Sequence, residues 1–182
     1  MNAPPERIET VRLLLRRPVV ADAKAKYELS HDPEVVRYMD WGPHANLEGA
    51  TALIDVASKR WDSGEGYSWT ITVPPDDHAI GSLACSVRGH SAEIGYVLAR
   101  NAWGRGYASE AAKAVLEWAT SLADIQRIWS TCDVDNGASA RVMEKIGMTR
   151  EGVLRRYAVR PNLAPGVPRD AFIYSWIRDG RS

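Results

Sequence analysis

The stretch Asn101-Ala102-Trp103-Gly104-Arg105-Gly106-Tyr107-Ala108-Ser109 stands between a run of strand character, Ala92-Glu93-Ile94-Gly95-Tyr96-Val97-Leu98, and a run of helical period. Gly104 and Gly106 let the main chain come close to a ligand, and a helix beginning directly after them presents unpaired first-turn N–H groups at the positive end of its dipole. The chemistry this suits is anion binding, and a diphosphate is the natural guest. On the helix, Ala108, Ala111, Ala112, Val115, Leu116, Ala119 and Leu122 share one stripe, small enough to lie close over a sheet. Ser109, Glu110, Lys113 and Glu117 then fall outward, towards water. Without a ligand, the same residues make an ordinary glycine-bearing connection from strand to helix.

A dinucleotide-binding turn would read Gly-x-Gly-x-x-Gly directly after the first strand of its domain, but here Ser109 holds the third position. Asp133, at the end of the next strand, matches the ribose-binding carboxylate of that motif. The turn, however, follows a run of antiparallel strands and no second series of βαβ units comes after it.

Those surroundings are built from short elements. Residues 11–17 predict a first strand, 20–30 a short helix started by Pro18, and 31–38 a further helical turn or two ended by Trp41-Gly42-Pro43. Leu47, Ala50, Ile54, Ala57 and Trp61 recur at helical spacing, with Gly64 and Gly66 after them. The period then changes to two. Strands are expected at 67–73, 79–87 and up to Leu98, joined by short turns into an antiparallel meander. A helix at 107–122, a strand at 127–133, a helix at 137–146 and one or two closing strands ending at 171–177 complete a mixed α/β sheet covered by helices. The piece from Glu93 to Asp133 is a βαβ crossover, which implies a parallel strand pair.

At 182 residues the chain reads as one domain, spanning 1–182, with 23 basic residues balancing 23 acidic ones. That balance offers no general attraction to nucleic acid or to an anionic membrane, so neither partner is expected. Cys85 and Cys132 sit in apolar runs and read as free buried thiols. With no apolar leader at the start, they point to a cytoplasmic protein. His31, His44, His78 and His90 lack metal-ligand spacing, so no metal is expected.

Three blocks together resemble the GNAT superfamily of acyl-CoA-dependent N-acyltransferases, within it the RimJ and RimL type of ribosomal-protein N-terminal acetyltransferases. They are Glu93–Leu98 with Trp103–Ala111, then Asp135-Asn136-Gly137-Ala138-Ser139, then Glu144-Lys145-Ile146-Gly147-Met148 with Glu151-Gly152. They come in the order and spacing of that superfamily, from about Val11 to Ile177. One departure is Asn101, where the signature often has Gln or Arg. The resemblance implies an α+β fold: a central mixed, mostly antiparallel sheet, a splayed parallel strand pair and helices on both faces. It further implies acetyl-CoA as cosubstrate and no metal. The pantetheine arm would lie in the splay by Tyr96, Val97 and Leu98, the diphosphate on Trp103 to Ser109, and Asn136 and Ser139 beside the arm.

Acetyl transfer to an amine needs a neutral nitrogen, a stabilised carbonyl oxygen and a proton for the departing thiolate. An α-amino group titrates near about 8 and a lysine near about 10.4, so a protein N-terminus makes the first demand milder. The resemblance points to Glu151 as the base, with Glu93 on the central strand as its rival; Ser139 is then the candidate proton donor to sulfur, with a water or a tyrosine side chain as the alternatives. Main-chain N–H groups around Val97 and Leu98 would hold the oxygen. Asn136 and Ser139 also fit a helix cap and first turn without any ligand. Trp41, in a loop, and Tyr157, in the basic segment from Arg155 to Arg169, are candidate walls of the substrate groove. The expected reaction is direct transfer to a primary amine, on a protein N-terminus or a small molecule, by a monomer or homodimer. A non-catalytic acyl-CoA sensor is the alternative.

Overall fold

A computed structural model describes residues 4–178. They form one eight-stranded sheet in the order β1-β2-β3-β4-β5-β6-β8-β7. Its strands are β1 (Arg7–Glu9), β2 (Leu14–Arg16), β3 (Tyr67–Thr72), β4 (Gly81–Arg88), β5 (Ser91–Leu98), β6 (Arg127–Asp133), β7 (Thr149–Val159) and β8 (Pro168–Ile177). The helices are α1 (Ala23–Ser30), α2 (Pro33–Val36), α3 (Leu47–Ser63), α4 (Tyr107–Ser121) and α5 (Gly137–Lys145). The expected meander is β3-β4-β5, every neighbour antiparallel, and β5 with β6 is the parallel pair that the crossover through α4 requires.

Alternation divides the sheet into two faces. Leu83, Cys85 and Val87 of β4 and Ala92, Ile94 and Leu98 of β5 pack into the core with the alanine stripe of α4, whose Ala111, Ala112 and Ala119 are fully buried. On the other face, Ser82, Ala84, Glu93, Gly95 and Val97 look towards α1 and α3 across open space. α3 is held at both ends: Asn46 Oδ1 accepts from Gly49 N–H, and Gly64, one of the two glycines expected at its exit, closes the helix in the left-handed conformation.

Two elements differ from the expectation. The first strand, read over 11–17, is a hairpin of β1 and β2 turned at Thr10, whose hydroxyl accepts from Leu13 N–H at 2.9 Å. β7 occupies 11 residues that carry no clean alternation, because it is the sheet's outer strand, exposed along most of its length and broken by register shifts after Arg150 and Leu154.

Candidate active site

β5 and β6 pair only from Ser91↔Arg127 to Glu93↔Trp129, whereas β5 stays paired with β4 out to Leu98. Beyond Glu93 the parallel strands therefore splay. Two contacts fix which main-chain groups the splay leaves free. The carbonyl of His90 accepts from Gln126 and Arg127 N–H on the β6 side, and Ala99 N–H donates to Ile80 on the β4 side. Because main-chain direction alternates along a strand, Ile94, Tyr96 and Leu98 face the gap, and Gly95 and Val97 face β4. Val97 thus offers the site a side chain and not the free N–H expected of it. Leu98 keeps its N–H, while its carbonyl accepts from the Trp103 indole at 2.8 Å.

At the far end of β5 the glycine turn is open. Gly104 and Gly106 have φ of 75° and 79°, a region that L side chains rarely adopt. A Cβ built on Gly104 would meet nothing within 4 Å, so the space over the turn is open. α4 has no side-chain cap, and its first internal bond runs from Glu110 N–H to the Gly106 carbonyl at 3.1 Å. The N–H groups of Tyr107, Ala108 and Ser109 are therefore left without helical partners, as a phosphate cradle requires. Glu110 does not point to water as expected. It takes Thr10 Oγ1 at 2.6 Å and Arg12 Nε at 2.8 Å, and Arg12 in turn donates to the Arg105 carbonyl at 2.9 Å. This long-range clamp ties the turn to the β1–β2 hairpin.

On the sheet's other face, a cavity of about 630 Å³ runs from α1 and α3 to the splay. Trp41, Glu93, Tyr96, Val97, Asn136 and Ser139 all line it. Trp41 stacks on His44, ring centres 5.5 Å apart. Burial pushes the Glu93 carboxyl above its ordinary range; Arg88 opposes the rise and the charge of Asp40 adds to it. Such a carboxylate is a better proton acceptor near neutral pH. Ser139, in the first turn of α5, lies 2.9 Å by its Oγ from the Tyr96 hydroxyl. Burial drives the Tyr96 phenol up, so the pair stays protonated and can supply a proton into the splay. Asn136 caps α5 with Oδ1, accepting from Ser139 N–H at 3.1 Å, and among the described residues its Nδ2 bonds nothing. The capping oxygen and the free amide are therefore different atoms of one side chain.

Glu151 is not brought to this cavity. It sits on the outer strand, where Arg127 Nη1 at 2.7 Å and Ser175 Oγ at 2.7 Å bind its carboxylate. Those bonds hold it down to about 2, which leaves it a poor base. Tyr157, on the same strand, is exposed and does not line the cavity either. Asp22 does line it, but four hydrogen bonds, from Arg16 (two), Val19 and Thr70, outweigh its burial and keep it ionised as a structural group. Burial raises Cys85 to about 12 and Cys132 to about 11, so neither is a thiolate nucleophile.

Sequence reasoning missed Arg160 and Asn162. Asn162 Nδ2 donates to the carbonyls of Val36 and Trp41, both at 2.8 Å, and so fastens the β7–β8 turn to the loop carrying Trp41. No local pattern marks such a contact, since its partners lie more than a hundred residues away.

The family model for the acetyltransferase (GNAT) domain matches residues 12–149. The chain is 31% identical over 174 residues to the uncharacterized N-acetyltransferase YoaA of Bacillus subtilis, covering 94% of this chain and 96% of that protein. A GNAT-family acetyltransferase from Bacillus anthracis is similar in structure, with a TM-score of 0.82 and 27% identity over 96% of this chain and 99% of its own. RimL, a ribosomal L7/L12 alpha-N-protein acetyltransferase solved with coenzyme A, shares the fold at a TM-score of 0.84 and 23% identity, covering 96% and 99%.

Proposed function

The chain belongs to the GNAT family of acetyl-CoA-dependent N-acetyltransferases, and from that premise we propose that it acetylates the α-amino group of a peptide or protein by direct transfer. The carrying observation is the continuity between the free main-chain edge of β5, where the splay begins, and a cavity that presents Glu93 to it. The lower proton affinity of an α-amino group suits a carboxylate base, and the shared fold with RimL supports the same class of acceptor.

In this reading the diphosphate lies on the amides of Gly104 to Ser109, and the pantetheine arm runs along Tyr96 and Leu98. Glu93 takes the proton of the acceptor ammonium. The freed nitrogen lone pair adds to the thioester carbonyl carbon, whose oxygen charge meets a main-chain N–H of the splayed strand. The carbon–sulfur bond then breaks, the thiolate takes the Ser139 hydroxyl proton, and the second proton of the attacking nitrogen passes through Tyr96 to Ser139, leaving a neutral amide, a free thiol and both hydroxyls protonated. We read the chain as one catalytic domain acting in the cytoplasm, as a monomer or homodimer, with no nucleic-acid or membrane partner. Two unpaired buried thiols and a balanced charge support that setting.

Thiol release from acetyl-CoA, measured across N-terminal peptides, polyamines, aminoglycosides and lysine-bearing peptides, tests the reading. Preferred turnover of α-amino peptides is expected; turnover confined to polyamines or aminoglycosides would replace the acceptor, and silence across all of them would leave a binding module. Asn136 gives a separate check. Asn136→Ser keeps a capping oxygen but loses the free amide, so it should melt near wild type while its acetyl-CoA affinity drops about fivefold; Asn136→Ala should lose about 1 kcal/mol of stability as well. Unchanged affinity in both variants would make Asn136 a cap and nothing more.

A further inference from the structure

Arg160 directly follows the outer strand β7 and is turned inward. Only 8% of the residue is accessible, although Arg155 and Arg156 of the same strand are exposed, and it lines the cavity that holds Glu93. Among the described residues its guanidinium makes no ion pair and no side-chain hydrogen bond. Its nitrogens are not sealed in packed protein either, since the described residues contain no fully buried and unpartnered side-chain nitrogen. The open space beside the residue is the cavity it lines.

Asp133, whose acidity Arg160 increases, is already engaged: Arg169 grips both its oxygens, at 2.6 and 2.9 Å, and Asp135 N–H adds a third bond. The position of Arg160 is meanwhile rigid. Its carbonyl accepts from Leu163 and Ala164 N–H at 3.0 and 2.8 Å, and Asn162 locks the same turn to the Trp41 loop. A guanidinium fork on a residue this little exposed, anchored through its main chain and without an acceptor in the protein, is free to take one from a ligand. The planar oxyanion matching that fork is a carboxylate.

The other charges lining the cavity make it dipolar. Asp22 and Asp133 are neutralised by Arg16 and Arg169, which leaves Glu93 and Asp40 as open carboxylates and Arg160, Lys26 and Arg60 as cations without a carboxylate partner among the described residues, Arg60 bonding only the Glu65 carbonyl and the Ser86 hydroxyl. Such a site suits an acceptor that carries an amine and a carboxylate at once. We propose that Arg160 binds a carboxylate of the acceptor and so makes it specificity-determining, an inference that rests on the acetyltransferase reading of the same cavity. The carboxylate is either the free α-carboxylate of an amino acid or the side chain of an acidic residue near a peptide's N-terminus.

Matched acceptors test this: free amino acids against their amides, and amidated peptides with Asp or Glu against Asn or Gln at the second position. With acetyl-CoA saturating, kcat/KM for one carboxylate series should exceed its neutral counterpart by about 10- to 100-fold. The series that shows the preference identifies the source. In Arg160→Met the ratio should fall towards one, and Arg160→Lys should restore part of it. Equal rates for charged and neutral acceptors in wild type, or an unchanged ratio in Arg160→Met, would overturn the proposal while leaving the transferase intact. Calorimetry of the preferred carboxylate acceptor on CoA-saturated protein supplies a readout free of turnover. Binding lost in Arg160→Met would sustain the subsite even if no acetyl group moved, and no binding in wild type would remove it.

Discussion

Gly104→Ala is expected to weaken acetyl-CoA binding about 10- to 100-fold while leaving a folded protein. The added methyl meets no atom of the chain within 4 Å, so it protrudes into open space on the turn where the proposed reading lays the diphosphate. Its internal cost is that of a non-glycine residue at a φ of 75°, about 1–2 kcal/mol and hence a few degrees of melting temperature. Gly89→Ala is the matched control. Gly89, in the β4–β5 turn, has a φ of 58° and equally free surroundings, and it lies outside the site. Both variants should lose comparable stability, but only Gly104→Ala should lose affinity in calorimetry. Equal affinities would show that the turn does not hold the diphosphate.

Glu93→Gln should lower kcat about 100- to 10,000-fold with little change in acetyl-CoA affinity. The sign of the pH dependence follows from the upward push that burial gives this carboxyl. Its basic form is lost as pH falls through a value above the ordinary carboxylate range, so wild-type kcat/KM should decline on the acid side, and that limb should disappear in the variant. Glu151→Gln is the comparison. With its carboxylate held at about 2 by Arg127 and Ser175, it is ionised at every working pH, and its removal should change kcat less than about threefold. The ion pair is solvent-accessible, so the stability lost should stay under about 1 kcal/mol. That contribution is present above the unfolded carboxyl's value, near about 4.3, and is lost as pH falls towards 2. A Glu151→Gln variant as inactive as Glu93→Gln would return the base to Glu151.

Much of the architecture was legible in the chain because it is written in short-range patterns. Period-two runs gave β3, β4 and β5, the alanine stripe gave α4 with its buried face, and the crossover from Glu93 to Asp133 dictated a parallel pair. β7 was less legible, since an outer strand exposed on both sides is under little pressure to alternate. Arg150, Glu151, Arg155 and Arg156 make it read as loop.

The sequence by itself determined the open glycine turn: two glycines, a helix start and the preceding strand are neighbours in the chain, and backbone geometry alone turns them into an open row of amides. Only the tertiary structure decided which acids and bases meet there. Glu93 reaches the cavity while Glu151 is taken by Arg127 and Ser175, each 24 residues distant, and Arg160 is turned inward by a strand that closes the sheet's outer edge. A carboxylate's role is set by the charge and solvent around it, and those come from residues that no local pattern brings together.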